Sequence, residues 1–188
     1  TAPSFNADSA YAYVEKQVSF GYRVPNTPAH KACGDYLVSE LKRFGAQVYE
    51  QEATLKAYDG TPLESRNIIG SFNPDKDKRI LLFAHWDTRP YSDHDPDPAN
   101  HKKPLDGADD GASGVGALLE IARQMGMKAP EVGVDIIFFD AEDYGTPEFA
   151  KDRYNDTSDP WCLGSRFWGK NPHKPGYKAE FGILLDMV

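Results

Sequence analysis

One histidine and five acidic residues are the side chains of this sequence best suited to chemistry. The stretch AHWDTRPY follows the apolar run RILLF, and the segments IIFFDAED and ILLD likewise end apolar runs in acidic residues. Another acid stands in LDGADDGASG, just before a predicted helix. Imidazole and carboxylate groups together suit zinc, whose catalytic sites use three protein ligands and leave one position for water or substrate. The candidates are His85, Asp87, Asp110, Glu142, Asp143 and Asp186.

Spacing indicates some of their roles. Asp87 lies two residues after His85, on the same side of a strand, where it can hold the second imidazole nitrogen of a metal-bound histidine. Glu142 and Asp143 are adjacent, so an extended segment directs them to different sides and separates a metal ligand from a general base. A pair of metal ions needs more ligands than a single ion. The acids here are sufficient for either arrangement.

Alternatives stay open at several positions. Asp109 can serve as the ligand in place of its neighbour Asp110, and Asp186 can simply cap a turn. Each strand end taken alone is weak evidence, because polar residues are common at solvated strand ends. The hypothesis of a metal site depends on several such ends converging. The other histidines are predicted to lie away from the site, His94 and His101 in a flexible polar loop and His30 and His173 on the surface beside prolines.

Hydrophobic periodicity predicts the elements that must position these residues. Amphipathic patterns predict three helices, in NADSAYAYVEKQVSF, KACGDYLVSELKRFG and ASGVGALLEIARQM, the first capped by Asp8 or Ser9. Apolar or alternating runs predict five strands, in AQVYEQEATLKAY, SRNIIGSF, DKRILLFAHWDT, VDIIFFDAEDYG and EFGILLDMV, the last three of them buried. This order is typical of an α/β fold with a largely parallel sheet, in which sites gather beyond the carboxyl ends of the strands.

Composition limits the class of protein. A chain of 188 residues with 40% hydrophobic content is long enough for one well-buried core, so residues 1–188 are predicted to form a single domain. The net charge of -8 argues against nucleic acid and anionic membranes as partners, because both need clustered lysine and arginine. No apolar run approaches the roughly 20 residues of a transmembrane helix. Cys33 and Cys162 form no CxxC pair, which excludes a zinc ribbon and leaves free thiols or one disulfide.

The order of motifs resembles that of the zinc-dependent exopeptidases, a family that includes bacterial aminopeptidases and glutaminyl cyclases. The segments that carry the resemblance cover nearly the whole chain and are, in order, GYRVPNTPAHKACGDYLVSELKRFGAQV, AHWDT, GADDGASGVGALLEIAR, IIFFDAEDYG, CLGSRFW and GILLDMV. The pair FFDAEDYG and WCLGSRFW is most similar to the bacterial glutaminyl cyclases. The resemblance implies a mostly parallel, mixed central sheet with helices on both faces.

The resemblance also implies roles for individual residues. Asp110 and Asp143 correspond to the two carboxylate ligands of a zinc ion, and Glu142 corresponds to the catalytic acid/base. His85 and Asp186 correspond to ligands of a second metal ion in two-zinc aminopeptidases, whereas in single-zinc cyclases Asp186 belongs to the proton network. The resemblance therefore implies one zinc ion or two.

This chain differs from the family pattern at two places, and the resemblance predicts one unusual peptide bond. Many relatives have glutamate where this chain has the shorter Asp143. The bond between Asp110 and Gly111 is expected to be cis, as in relatives. The family supplies a final histidine ligand from a segment after the strand that resembles GILLDMV, whereas this chain stops at Val188. We therefore expect the sequence to be the N-terminal part of a longer protein, lacking its C-terminal segment.

Three functions follow as expectations. A cyclase would convert the N-terminal glutamine of a peptide or protein to pyroglutamate with release of ammonia, in a pocket lined by Trp86, Trp161, Phe167 and Trp168. An aminopeptidase would instead hydrolyse the first peptide bond of a substrate with a free N-terminus. A catalytically silent binding module of the same fold is the third alternative. The resemblance further implies export to a bacterial periplasm or medium, with which the low cysteine content is compatible.

Overall fold

A computed structural model describes residues 2–154 and 158–188, which form four α-helices and five strands around one central sheet. The elements in chain order are α1 (Ala7–Ser19), α2 (Pro28–Arg43), β1 (Gln47–Lys56), β2 (Pro62–Phe72), β3 (Arg79–His85), α3 (Ala112–Met127), β4 (Gly133–Phe139), α4 (Leu163–Lys170) and β5 (Gly182–Leu184). Short 3-10 turns at Pro98–Asn100 and Glu148–Ala150 interrupt the loops.

The sheet is mixed, with strand order β1-β2-β4-β3-β5. β3 pairs in parallel with both β4 and β5, whereas β2 is antiparallel to β1 and β4. Four of the five strands therefore point in one direction, and the predicted α/β class with a mostly parallel, mixed sheet is confirmed. The register places His85 opposite Phe139, so β3 and β4 end at the same level.

Helices cover both faces of the sheet. Helices α2 and α3 bury their apolar stripes against β2, β3 and β4 in the main core, and α1 packs on α3. Val115, Leu118, Leu119 and Ala122 of α3 have no exposed surface, as their periodicity predicted. On the opposite face, Trp168 of α4 packs on a smaller cluster that contains Ile69, Ile137 and Phe139.

Three local predictions are wrong, one of them in part: β3 was predicted to be buried, but its middle residues, 80–83, are only half-buried. Asn6, and not Asp8 or Ser9, caps α1, because its side chain accepts the backbone N–H of Ser9. β5 was predicted to be buried, but its residues are exposed, with Ile183 at 45% and Leu184 at 53%. The reason is its place at the edge of the sheet, beside β3, where no described element covers its side chains.

The two cysteines do not form a disulfide. Cys33 is a buried thiol of α2 and Cys162 is a half-buried thiol directly before α4. Of the two alternatives that the sequence left open, free thiols or one disulfide, the structure therefore shows free thiols. Among the described helices, none combines the length and the apolar character that crossing a bilayer requires.

Candidate metal centre and catalytic site

Four segments converge at the carboxyl end of the sheet around the buried imidazole of His85. Its Nε2 atom lies 2.9 Å from Oδ1 of Asp110, 3.6 Å from Oδ1 of Asp186 and 3.9 Å from Oε2 of Glu142. Ligand atoms of His85, Asp110 and Asp186 all lie within 4.8 Å of one another, which is close enough for one cation to contact all three. The strand ends that the sequence singled out are therefore brought together.

Asp87 supports this cluster from two directions. The Nδ1 atom of His85 lies 3.1 Å from the main-chain oxygen of Asp87 and 3.4 Å from its Oδ1. The two carboxylate oxygens of Asp87 also accept the backbone N–H groups of Glu142, at 3.0 Å, and Asp143, at 3.1 Å. Spacing placed Asp87 correctly beside the second imidazole nitrogen, but it gave no sign that this carboxylate also holds the turn after β4.

That turn separates the two adjacent acids. Ala141 adopts a left-handed backbone with φ 50°, which L-residues rarely occupy, and this ends the extended path of β4. The Glu142 side chain then points toward His85, whereas Oδ1 of Asp143 accepts a 2.7 Å hydrogen bond from Arg89. The other oxygen of Asp143, Oδ2, is buried, and no residue in 2–154 or 158–188 donates a hydrogen bond to it.

Two glycines allow the close approach of the segments. Gly111, directly before α3, has φ +100°, and a Cβ atom there would lie 2.9 Å from the Asp87 carbonyl and 3.2 Å from the His85 ring. At Gly114, one turn into α3, a Cβ atom would overlap the carbonyl oxygen of Leu185. Side chains at these positions would push Asp110 and Asp186 away from His85.

Burial and mutual repulsion perturb the protonation of the acids. Burial, together with the negative charges of Asp110 and Asp87, raises the pKa of Asp143 to about 8 against the opposing effect of Arg89. Burial also raises the pKa of Glu142, against the opposing effect of His85. For His85, burial favours the neutral ring, but hydrogen bonds to Asp110 and Asp87 outweigh it and raise the pKa to about 12.

The residues around His85 fit a divalent cation for two reasons. Several carboxylates crowd around one imidazole, and the buried Oδ2 atom of Asp143 finds no hydrogen-bond donor in the described part of the chain. Buried polar atoms are almost always paired, and buried carboxylates are commonly paired or bound to metal. Asp109 is exposed and its neighbour Asp110 contacts His85, so the geometry favours Asp110 of the two alternatives.

The aromatic residues predicted to line a pocket occupy different environments. Trp86 has no exposed surface and stacks on His30 at 4.1 Å, so, contrary to the prediction, it does not line an open pocket. Trp161 is half-buried beside the site, with its ring 4.8 Å from the guanidinium carbon of Arg89. Trp168 packs against Phe139 on the α4 face. Phe167 is half-buried, and its pocket role stays a prediction.

Three further expectations need correction. His30 is buried and not on the surface, and its Nε2 atom lies 2.9 Å from both oxygens of the fully buried Asp140. His173 was also predicted to lie on the surface, but it is half-buried against Trp168. No described peptide bond is cis, so the expected cis bond after Asp110 is absent. The positive φ of Gly111 provides the sharp change of direction at that point.

Two residues that touch the site were not among the candidates predicted from the sequence. Arg89 bonds Asp143, and the Sγ atom of Cys162 lies 3.3 Å from Oε1 of Glu142. Backbone N–H groups of Cys162 and Leu163 also donate to the carbonyls of Glu142 and Ala141, which fastens the segment before α4 to the turn. Arg89 stands within AHWDTRPY, and its position shortly after a strand end was the only available signal.

An α/β domain with an imidazole and several carboxylates at the carboxyl end of its sheet has the layout of a metal-dependent enzyme. Residues 67–188 match peptidase family M28, and the chain belongs to this family. This agrees with the resemblance drawn from its motifs.

Solved structures with closely similar folds carry names of both activities considered above. The chain is 75% identical to a Zn-dependent exopeptidase from Parabacteroides distasonis, with a TM-score of 0.97, over 100% of this chain and 63% of the other. It is 68% identical to Tannerella forsythia glutaminyl cyclase, with a TM-score of 0.94, over 99% of this chain and 63% of the other. It is 61% identical to a leucine aminopeptidase precursor from Bacteroides thetaiotaomicron, with a TM-score of 0.96, over 100% and 64%.

The chain is shorter than these proteins. It covers less than two thirds of each of the solved chains above, and between 24% and 40% of the length of the curated relatives that it matches. The family membership and the fold therefore describe this chain, whereas the activity of the whole protein is a proposal.

Proposed function

We propose that this chain contributes most of the active site of a zinc-dependent glutaminyl-peptide cyclotransferase. The observation that carries the proposal is the divergence of two adjacent acids, with Glu142 facing the His85 cluster and Asp143 leaving one buried oxygen unpaired. This arrangement separates an acid/base from a metal ligand. The likeness to Tannerella forsythia glutaminyl cyclase supports the choice of reaction.

The proposed metal ligands from this chain are Asp110 and Asp143, with His85 and Asp186 as close neighbours that complete the set or hold a second ion. Zinc, when bound, supplies a Lewis acid toward the side-chain carbonyl of the substrate glutamine. The number of ions, one or two, is left to measurement. The substrate in this proposal is a peptide or protein with a free N-terminal glutamine.

Glu142 is the proton carrier of the proposed reaction. As the α-amine nitrogen attacks the side-chain carbonyl carbon, Glu142 takes a proton from that nitrogen. It returns the proton to the departing amide nitrogen, which leaves as ammonia when its bond to carbon breaks. Burial raises the pKa of Glu142, which suits a group that must both accept and release a proton near neutral pH.

The test is to incubate the protein's full natural chain, loaded with zinc, with a peptide that begins with glutamine, and to follow the peptide's mass. Loss of ammonia alone supports the cyclase. A matched peptide beginning with leucine serves as the control and should keep its mass. An unchanged mass for both peptides would contradict the proposal and favour a silent binding module.

An aminopeptidase is the second candidate. The grouping of His85, Asp110 and Asp186 is the feature that favours it, because their ligand atoms lie close enough to share a cation of their own. The similarity to a leucine aminopeptidase precursor points the same way. Release of free leucine from the control peptide, stopped by a chelator, would favour this candidate over the cyclase.

Export to the periplasm or out of the cell completes the proposal. It is supported by the family resemblance alone. Fractionation of the source cells, followed by detection of the protein in each fraction, tests it, and recovery in the cytoplasmic fraction would contradict it.

A further inference from the structure

Arg89 joins two buried carboxylates next to the proposed metal centre. Its Nε and Nη2 atoms donate to the two oxygens of Asp93, at 2.7 and 2.9 Å, and its Nη1 atom donates to Oδ1 of Asp143 at 2.7 Å. The side chain of Arg89 is only 15% exposed and that of Asp93 is completely buried. The guanidinium therefore holds Asp93 through two parallel hydrogen bonds and reaches Asp143 with an N–H group of Nη1.

Arg89 binds its two carboxylate partners in different ways. A guanidinium and a carboxylate pair best through two parallel hydrogen bonds, which satisfy both carboxylate oxygens. Arg89 makes such a pair with Asp93 but occupies only one oxygen of Asp143. The second oxygen, Oδ2, is buried and accepts no hydrogen bond from any donor among the described residues. Asp143 is thus fixed in direction while one ligand atom is kept available.

Arg89 itself is held in place by its surroundings. Oδ2 of Asp93 accepts the backbone N–H of Glu148 at 2.7 Å, which anchors the far end of the pair. The ring of Trp161 lies over the guanidinium, 4.8 Å from its central carbon. Because Asp93 binds the guanidinium through two hydrogen bonds and the Trp161 ring packs on it, the guanidinium has little freedom to rotate away from Asp143.

We infer that Arg89 is a positioning residue that orients the Asp143 carboxylate so that its Oδ2 atom is free to bind the metal ion. The inference rests on the metal site of the proposed function, but it is independent of the choice between cyclase and aminopeptidase. The positive charge of Arg89 by itself repels a cation. Its contribution is therefore geometric. Because Arg89 already holds the Asp143 side chain in one orientation, less conformational entropy is lost when the ion binds.

The test measures zinc affinity of the metal-free full natural chain by competition with a chelating dye. Arg89→Met, which keeps the length of the side chain but removes its N–H groups, should weaken zinc binding about tenfold or more, as loss of an outer-shell partner does. Arg89→Lys keeps one charged donor and should recover part of the affinity. Arg43→Met is the matched control, because Arg43 is exposed at the last residue of α2, where it pairs with Glu40, and it should leave the affinity unchanged.

A zinc affinity of the Arg89→Met variant within twofold of wild type would overturn the inference. Tighter binding would also overturn it, because it would show that repulsion between the Arg89 charge and the zinc ion outweighs the positioning of Asp143. Circular dichroism of each variant checks that it folds. If Arg89→Met does not fold, Asp93→Asn, which weakens the anchor behind Arg89, should lower the affinity by a smaller factor, and an unchanged affinity would again refute the inference. A wild-type protein that binds zinc but transforms no peptide would refute the proposed function alone.

Discussion

At the scale of single residues, chemistry in this protein depends on where two neighbouring acids point. Glu142 and Asp143 diverge because Ala141 takes a left-handed backbone and because Asp87 accepts both of their N–H groups. The carboxylate of Glu142 therefore lies beside His85 without being fixed by Arg89. A single change at Glu142 therefore tests the proposed proton transfer separately from metal binding.

Glu142→Gln should lower peptide turnover by at least about 100-fold, because an amide of the same shape cannot carry the proton. Zinc content and the unfolding midpoint should stay close to those of wild type. The measurement is initial rate with a glutamine-initiated peptide, with metal analysis of the same samples. Turnover at the wild-type rate would remove Glu142 from the proposed role.

Gly111→Ala should destabilise the protein by about 1–3 kcal/mol, since it places a side chain at positive φ and against the Asp87 carbonyl. Gly169→Ala is the control. A Cβ atom there meets no atom within 4 Å, and alanine favours the helix, so its stability should be unchanged or slightly higher. Urea unfolding of both variants measures the difference, and equal stabilities would contradict this account of Gly111.

At the scale of elements, α2 is joined to the site by a buried pair and not by apolar packing alone. His30 stacks on Trp86 and contacts both oxygens of Asp140, the residue that follows β4. Asp140 in turn accepts the backbone N–H groups of Arg66 and Ala141. Hydrogen bonds through Asp140 thus link the position of α2 to the start of the turn at Ala141.

His30→Ala should therefore cost about 3–5 kcal/mol of unfolding free energy, because it removes a hydrogen-bond partner of the fully buried Asp140 and opens a cavity beside Trp86. Lys31→Ala changes the next residue of α2, whose side chain is 78% exposed, and should cost no more than about 1 kcal/mol. Chemical unfolding measures both. A loss below about 1 kcal/mol for His30→Ala would show that the pair contributes little.

At the scale of the whole molecule, the described surface carries a concentrated apolar patch at one edge of the sheet. β5 and its flanks expose apolar side chains along an edge strand, where unpaired backbone groups also face outward; they are Phe181, Ile183, Leu184, Met187 and Val188. Such an edge favours pairing with a further strand, whether from the same protein or from a second molecule.

The 188-residue chain should accordingly self-associate at raised concentration, and Ile183→Lys should suppress the association by placing a charge on the edge. Tyr11→Lys is the control, since Tyr11 is 66% exposed on α1 and lies outside the patch. Light scattering across a concentration series measures the effect. Equal association of the two variants would mean that the β5 edge is not responsible.

The sequence by itself determined the class of fold and the identity of most residues at the site. Apolar periodicity located the three longer helices and all five strands, and the acids at the ends of β3, β4 and β5 indicated a metal site. These features are local, because a side chain's position along a strand or helix fixes the face and the end where it lies. The short helix α4 gave no comparable signal.

The tertiary structure alone decided the contacts between segments distant in the chain. It placed Trp86 and His30 inside the core, left β5 exposed at the edge, and brought Arg89 to Asp143 and Cys162 to Glu142. It also assigned the carboxylate of Asp87 to the turn after β4. No spacing in the sequence encodes these contacts, because each depends on how separate elements pack and on which buried polar atoms must then find partners.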